Sequence, residues 1–220
     1  MSKKAGILFD YNGVIVNDEH LHEQTITQTV GERGVTIDHT IFNRYCLGRS
    51  DRATFANLQE VFPALQTTRV EQLIRRKVEL YENLMQKHSI VVPHIARTLS
   101  ALHEHFSMAI VTGTLDEEIE PLLAKENIGQ FFKDVITAND ITQSKPDPEG
   151  YLKGVAALKL PREKIVVIED TPIGIQAAKS AGLACIAVCH TVTAEHLSQA
   201  DLIVKMVNEI TPEIVWSILE

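Results

Sequence analysis

Asp10 ends the apolar run Ile7-Leu8-Phe9 and opens the stretch DYNGVIV, while Glu169 and Asp170 stand side by side at the end of a second run, VVIED. A strand that delivers a carboxylate to a loop tip presents a nucleophile or a metal ligand; taken alone, Asp10 reads equally as a turn or helix-cap aspartate. Adjacent acids at the end of a buried strand need a cation or strong hydrogen bonds. Magnesium (Mg2+) is the natural cation where oxygen ligands meet a phosphate. Lys145, in SKPDPEGYL, precedes Pro146 and Pro148, which fix the chain and start a helix, so its ammonium is presented from a stiff corner. Thr112 and Gly113 in IVTGT bring a hydroxyl and a glycine amide, donors suited to a phosphoryl oxygen. The same residues suit the N-cap of a helix with Asp116 and Glu117 in its first turn. Asn12, two residues after Asp10, carries a carboxamide, which forms hydrogen bonds but moves no proton at ordinary pH.

The elements that position these groups are short β-branched runs, each handing on to a helical pattern: AGILFD, MAIVTGT, DVITAND, KIVVIED, ACIAVCH and DLIVKM. Strands alternating with helices predict an α/β fold with a Rossmann-like, doubly wound parallel sheet. Four runs end in polar groups, at Asp10, Thr112, the Thr137 to Asp140 corner and Glu169-Asp170. Ligand sites of open α/β sheets lie beyond the carboxyl ends of the strands, so these ends are expected to converge on one crevice. Residues 17 to 88 hold no strand candidate but several helical stretches, among them LHEQTITQTVGERG and the amphipathic TRVEQLIRRKVELYENLMQK, with turns at Gly34 and Gly48. That length exceeds any ordinary loop, so the expected organisation is a core of residues 1–16 and 89–220 with an inserted all-helical cap of residues 17–88 over the crevice.

Composition removes several function classes. A formal net charge of -8 argues against tracking a nucleic-acid backbone, and the short basic run Arg75-Arg76-Lys77 reads as a solvated helix face or a site contact. No apolar run approaches the roughly 20 residues that span a bilayer, so no membrane partner is expected. The start MSKKAGILFD enters a strand too soon for a signal peptide, which places the protein in the cytoplasm. Cys46, Cys185 and Cys189 lack ligand spacing and read as small buried hydrophobes, and His103 and His105 as helix-end surface residues. The acidic balance and low aromatic content point to a monomer.

With these residues in place, the chain resembles the haloacid dehalogenase-like hydrolases along essentially its whole length. FDYNGVIV resembles the family's first motif, VTGT its second, SKPDPEGY its third and VIEDTPIGIQAA its fourth. The helical insert after the first motif is similar to that of β-phosphoglucomutase and of small sugar-phosphate and phosphoglycolate phosphatases. The resemblance implies that Asp10 attacks phosphorus and becomes an aspartyl phosphate. Mg2+ would be held by Asp10, the main-chain carbonyl of Asn12 and Asp170, with Glu169 in its surroundings. Thr112, the Gly113 amide and Lys145 would hold the phosphoryl oxygens. A cation and a lysine beside the nucleophile are expected to keep Asp10 ionised at neutral pH.

Asn12 departs from the family pattern, in which this position is a second Asp that gives a proton to the leaving oxygen and then takes one from water. Such catalysis contributes on the order of 10² to 10⁴ in rate. Four explanations stand open: a proton from His22, Glu19 or Lys77; a substrate that needs no acid, such as an acyl phosphate or phosphoanhydride; a weak or silent member that binds a phosphometabolite; or deamidation at Asn12-Gly13. Substrate choice is expected in the cap. His22 and Glu19 match the family's D-S-E-x-x-H pattern, whereas Asn17-Asp18 replaces its Asp-Ser. Arg49 in LGRS suits a second anionic group on the substrate or is an ordinary surface charge. Arg76 and Lys77 share one helix whose polar face could meet substrate, and Tyr11 reads as packing.

The leading reading is a magnesium-dependent phosphatase of a small phosphorylated metabolite. A β-phosphoglucomutase-like mutase and a regulatory phosphometabolite-binding domain are the alternatives. Glu169-Asp170 argues against dehalogenation, which proceeds in this family without magnesium. Cap closure is expected about hinges near Asn17 and residues 88 to 92.

Overall fold

The six β-branched runs become β1 (Gly6–Phe9), β2 (Ser107–Val111), β3 (Asp134–Ile136), β4 (Ile165–Glu169), β5 (Ala184–Val188) and β6 (Leu202–Val204) in a computed structural model that describes residues 3–85 and 90–220. They form one sheet in the order β3-β2-β1-β4-β5-β6, every pair parallel. The order turns between β1 and β4, the place where such a sheet opens a crevice at its carboxyl edge. In this register Phe9 lies opposite Ile168, so Asp10 and Glu169 leave their strands at the same level.

Side chains alternate across the sheet. Leu8, Ala109, Val111, Val167, Cys185 and Ala187 share one buried cluster with Tyr151, Leu158 and Ile175 of α7 (Glu149–Leu158) and α8 (Pro172–Ser180). On α7, a Cβ at Gly154 would lie 2.9 Å from both Leu8 and Val111, so the helix rests on the sheet at a distance only glycine allows. Ile7, Phe9, Ile110, Val166 and Ile168 are fully buried as well, as expected for a parallel sheet covered on both faces. Helix α8 starts where Thr171 Oγ1 accepts from the Gly174 amide, with Pro172 at the first helical position.

The described residues separate into two compact units, Met1–Asn17 with Val91–Glu220, and Asp18–Ile90. The expected boundary at residues 88 and 89, with part of the second hinge, lies outside the described residues. In the sheet unit, Ile15 accepts from the Val92 amide at 3.0 Å and Val16 forms an antiparallel bridge with Val91. The helical unit contains α1 (Glu19–Gly31), α2 (His39–Tyr45), α3 (Asp51–Val61) and α4 (Val70–Met85), with α4 packing on both α1 and α3. Gly34 and Gly48 both adopt positive φ, the turn conformation that glycine takes without strain. No helix among the described residues is long and apolar enough to cross a membrane.

Candidate active site

At the carboxyl edge of the sheet, Asp10 continues β1 and donates its amide to Ile168 O at 2.9 Å. Its side chain is buried; Oδ1 accepts from the Tyr11 amide at 2.8 Å and lies 2.9 Å from Lys145 Nζ. Lys145 also lies 2.6 Å from Glu169 Oε1 and 5.2 Å from the centre of the Tyr151 ring. Glu169 is fully buried and tied down: Lys145 and Tyr151 donate to Oε1, and the Asp170 amide, the Thr171 amide and the Thr171 hydroxyl donate to Oε2. Helix α8 closes over it so tightly that a Cβ at Gly174 would collide with its carboxylate.

The charges follow from these neighbours. Burial and the Glu169 carboxylate push Asp10 up to about 7, and Lys145 offsets only part of this. The expectation that a lysine and a cation keep Asp10 ionised therefore divides: the lysine alone is not enough. Burial also works to raise Glu169, but Lys145 and the amides on Oε2 outweigh it, and Glu169 is held below the usual carboxylate range. Burial works against the Lys145 charge, yet Asp10 and Glu169 together raise its pKa.

A divalent cation fits this donor set. Asp10, Glu169 and Asp170 each offer a ligand atom, all within 4.8 Å of one another. These are hard oxygens of the kind Mg2+ takes. Since Glu169 already accepts five donors, Asp10 and Asp170 are the carboxylates suited to direct ligation, and Glu169 contributes charge from behind. Two residues beyond β5 shape the seat. Thr191 donates its hydroxyl to Asp170 Oδ2, and His190 Nδ1 lies 2.8 Å from Gly13 O. At Gly13 φ is +73° and a Cβ would collide with the Asp170 carboxylate, so the loop after Asp10 passes this acid as only glycine can.

Asn12 does not face the cluster as an acid. Its Oδ1 accepts from Thr114 Oγ1 at 2.6 Å and stands 3.4 Å from Thr112 Oγ1, while Thr112 Oγ1 in turn accepts from the Thr114 amide. Thr112 thus lies at the carboxyl edge with Asn12, and Gly113 follows it, partly exposed. The fourth polar end turns on itself: Asp140 Oδ2 accepts from the Thr137 amide at 2.9 Å.

The helical unit holds its own buried polar group. Asp18 Oδ2 accepts from Tyr81 OH at 2.5 Å and lies 3.2 Å from His22 Nε2, and the His22 and Tyr81 rings stack at 4.7 Å. The aspartate that replaces the expected Ser is therefore the centre of this network. Burial and Lys77 work against the His22 charge, but Asp18 and Glu19 outweigh them and its pKa is raised; burial pushes Glu19 up to about 7. Lys77, 1% exposed, lies 3.0 Å from Asp51 Oδ2, whereas Arg76 pairs outward with Glu32 and Glu79. Arg49 is partly exposed and forms no ion pair among the described residues.

Sequence reasoning missed Thr114, Tyr151, His190 and Thr191. The first two stand inside motifs already singled out, and the last two follow β5, so the carboxyl-edge rule applied to ACIAVCH would have reached them.

A family profile described as haloacid dehalogenase-like hydrolase matches residues 7–188, from β1 to the end of β5. The chain belongs to the haloacid dehalogenase-like hydrolases. Within this family it is 29% identical over 207 residues to validoxylamine A 7'-phosphate phosphatase of Streptomyces hygroscopicus subsp. limoneus, covering 92% of this chain and 94% of that one. It is 30% identical over 200 residues to the pyrophosphatase PpaX of Anoxybacillus flavithermus, covering 87% of each. The fold matches that of a β-phosphoglucomutase from Clostridium difficile with a TM-score of 0.87 at 20% identity, over 98% of this chain and 96% of the other.

Proposed function

We propose that this hydrolase is a magnesium-dependent phosphatase of a small phosphorylated metabolite, working through an aspartyl phosphate on Asp10. The observation that carries the reading is the buried junction at the sheet's turning point, where Lys145 Nζ lies 2.9 Å from Asp10 Oδ1 beside Glu169 and Asp170. Relatives named as a phosphatase and a pyrophosphatase support it.

In this reading an Asp10 carboxylate oxygen bonds to phosphorus as the bond to the leaving oxygen breaks. Water then releases phosphate and restores the carboxylate. Two anions must meet for the first step, so charge neutralisation and alignment carry most of the catalysis. Lys145 supplies a fixed positive charge, and Glu169 holds that ammonium in place. Thr112 and the Gly113 amide orient the phosphoryl oxygens. Asp10, the Asn12 main-chain carbonyl and Asp170 would hold Mg2+, with Glu169 in its surroundings. When bound, the cation supplies the charge that Lys145 alone lacks and so brings Asp10 into its ionised, attacking form. His22, Arg49 and Lys77 of the helical unit contact the rest of the substrate, and Asn12 stands where the family has its proton-carrying Asp.

The test is phosphate release from a panel of phosphate esters, acyl phosphates and pyrophosphate, with Mg2+ and with chelator. Mass spectrometry of acid-quenched protein locates the phosphorylated peptide. The expected result is Mg2+-dependent turnover, phosphate on Asp10, and loss of both in Asp10→Asn. Turnover that survives Asp10→Asn would sink the reading.

A further inference from the structure

We propose that this site acts on phosphoryl groups whose leaving group departs without a proton, namely acyl phosphates and phosphoanhydrides. The proposal rests on the phosphohydrolase reading above and narrows its substrate class.

The side chain next to the nucleophile is an amide fixed as a hydrogen-bond acceptor. Asn12 Oδ1 takes the Thr114 hydroxyl at 2.6 Å, with Thr112 at 3.4 Å, and an amide held in this way has no proton to give at ordinary pH. Two charged side chains of the sheet unit at this edge are already engaged: Glu169 accepts five donors, and Lys145 is shared between two carboxylates. His190 is turned to the loop after Asp10, with Nδ1 2.8 Å from the Gly13 carbonyl.

Nor does the fold convert the amide to an acid. Deamidation needs the Gly13 nitrogen to attack the Asn12 side chain, but that N–H donates to Val16 O at 2.7 Å and the carboxamide is held by Thr114. Both contacts oppose that attack, and peptide mass spectrometry showing intact Asn12 is the expected result.

The chemistry balances on these terms. When Asp10 bonds to phosphorus, the departing oxygen leaves with its electron pair as a carboxylate or a phosphate, both stable unprotonated. Water then bonds to phosphorus and Asp10 leaves as its carboxylate, with both water protons remaining on the inorganic phosphate. An alkoxide from a sugar phosphate has no such exit, because it must be protonated as it forms.

The experiment measures kcat/KM with Mg2+ for acetyl phosphate, a graded series of aryl phosphates and an alkyl phosphate, plotted against leaving-group pKa. A steep decline is expected in the unaltered protein, and this slope decides the matter without any variant. Asn12→Asp is expected to raise the ratio of alkyl-phosphate to acetyl-phosphate turnover by about 10² to 10⁴. A flat plot that His22→Asn makes steep would place the proton in the helical unit and overturn the proposal while leaving the phosphohydrolase reading intact. No phosphate release from any member of the series would remove both.

Discussion

Replacing Asp10 by Asn should make the metal-free protein more stable. Asp10 is buried beside Glu169, and its pKa stands at about 7 in place of the usual 3.8. The folded protein therefore keeps a proton that the unfolded chain has lost. The stability this contributes is complete below 3.8 and disappears as pH rises through about 7. At about 1.4 kcal/mol per pH unit, moving from about pH 5 to about pH 8 costs the folded state on the order of 2 to 3 kcal/mol. Asp10→Asn abolishes that loss, because the amide is neutral throughout and its oxygen still accepts from Tyr11 and Lys145. Urea unfolding in chelator at the two pH values is the assay. The two proteins should be nearly equal at the lower pH, and the variant more stable by roughly 2 to 3 kcal/mol at the higher one. Mg2+ should cancel most of the variant's advantage at high pH, since a cation at 100 times its Kd adds about 2.7 kcal/mol to a state that binds it. Stability curves that stay parallel between the two pH values would refute the argument, because Asp10 would then ionise as freely inside the protein as outside.

Three further outcomes test the remaining geometry. Lys145→Met should destabilise the metal-free protein by about 3 to 5 kcal/mol at about pH 8 and by less at about pH 5, where Asp10 carries its own proton; an equal loss at both would show that the lysine acts by packing alone. Thr191→Val should weaken Mg2+ binding about 10- to 100-fold in calorimetric titration, with Thr191→Ser restoring it, if Asp170 is the ligand proposed above and the Thr191 hydroxyl aims it. Arg49→Met should leave Tm unchanged while raising KM about 10- to 100-fold, the worth of about 1.5 to 3 kcal/mol for a hydrogen bond to a charged group; an unchanged KM would make Arg49 a surface charge.

The sheet was readable because parallel strands buried on both faces leave continuous apolar runs, and all six runs became strands. The helical insert was readable from its length and periodicity. What the sequence could not show are contacts across large separations in the chain, such as Thr114 on Asn12 and Thr191 on Asp170. Arg75-Arg76-Lys77 illustrates the limit. A charge run looks uniform, yet successive helical residues point about 100° apart, so Arg75 is exposed, Arg76 pairs at the surface and Lys77 is buried against Asp51. Likewise Cys189 is only half-buried, and His103 Nδ1 lies 2.9 Å from the Phe131 carbonyl, so it is not simply a surface residue. The cost of burying Asp10 beside Glu169, which raises its pKa in the metal-free protein, is another contact across the chain that the sequence alone does not show.

The antiparallel bridge from Val16 to Val91, with the Val92 amide on Ile15, ties together the two ends of the sheet unit's broken chain. In evolutionary terms this makes the helical insert a cassette. The chain that carries Asp10 is closed within its own unit, so an insertion of any length can be exchanged at this hairpin-like neck, as short as a two-residue turn, without unzipping β1 from the sheet.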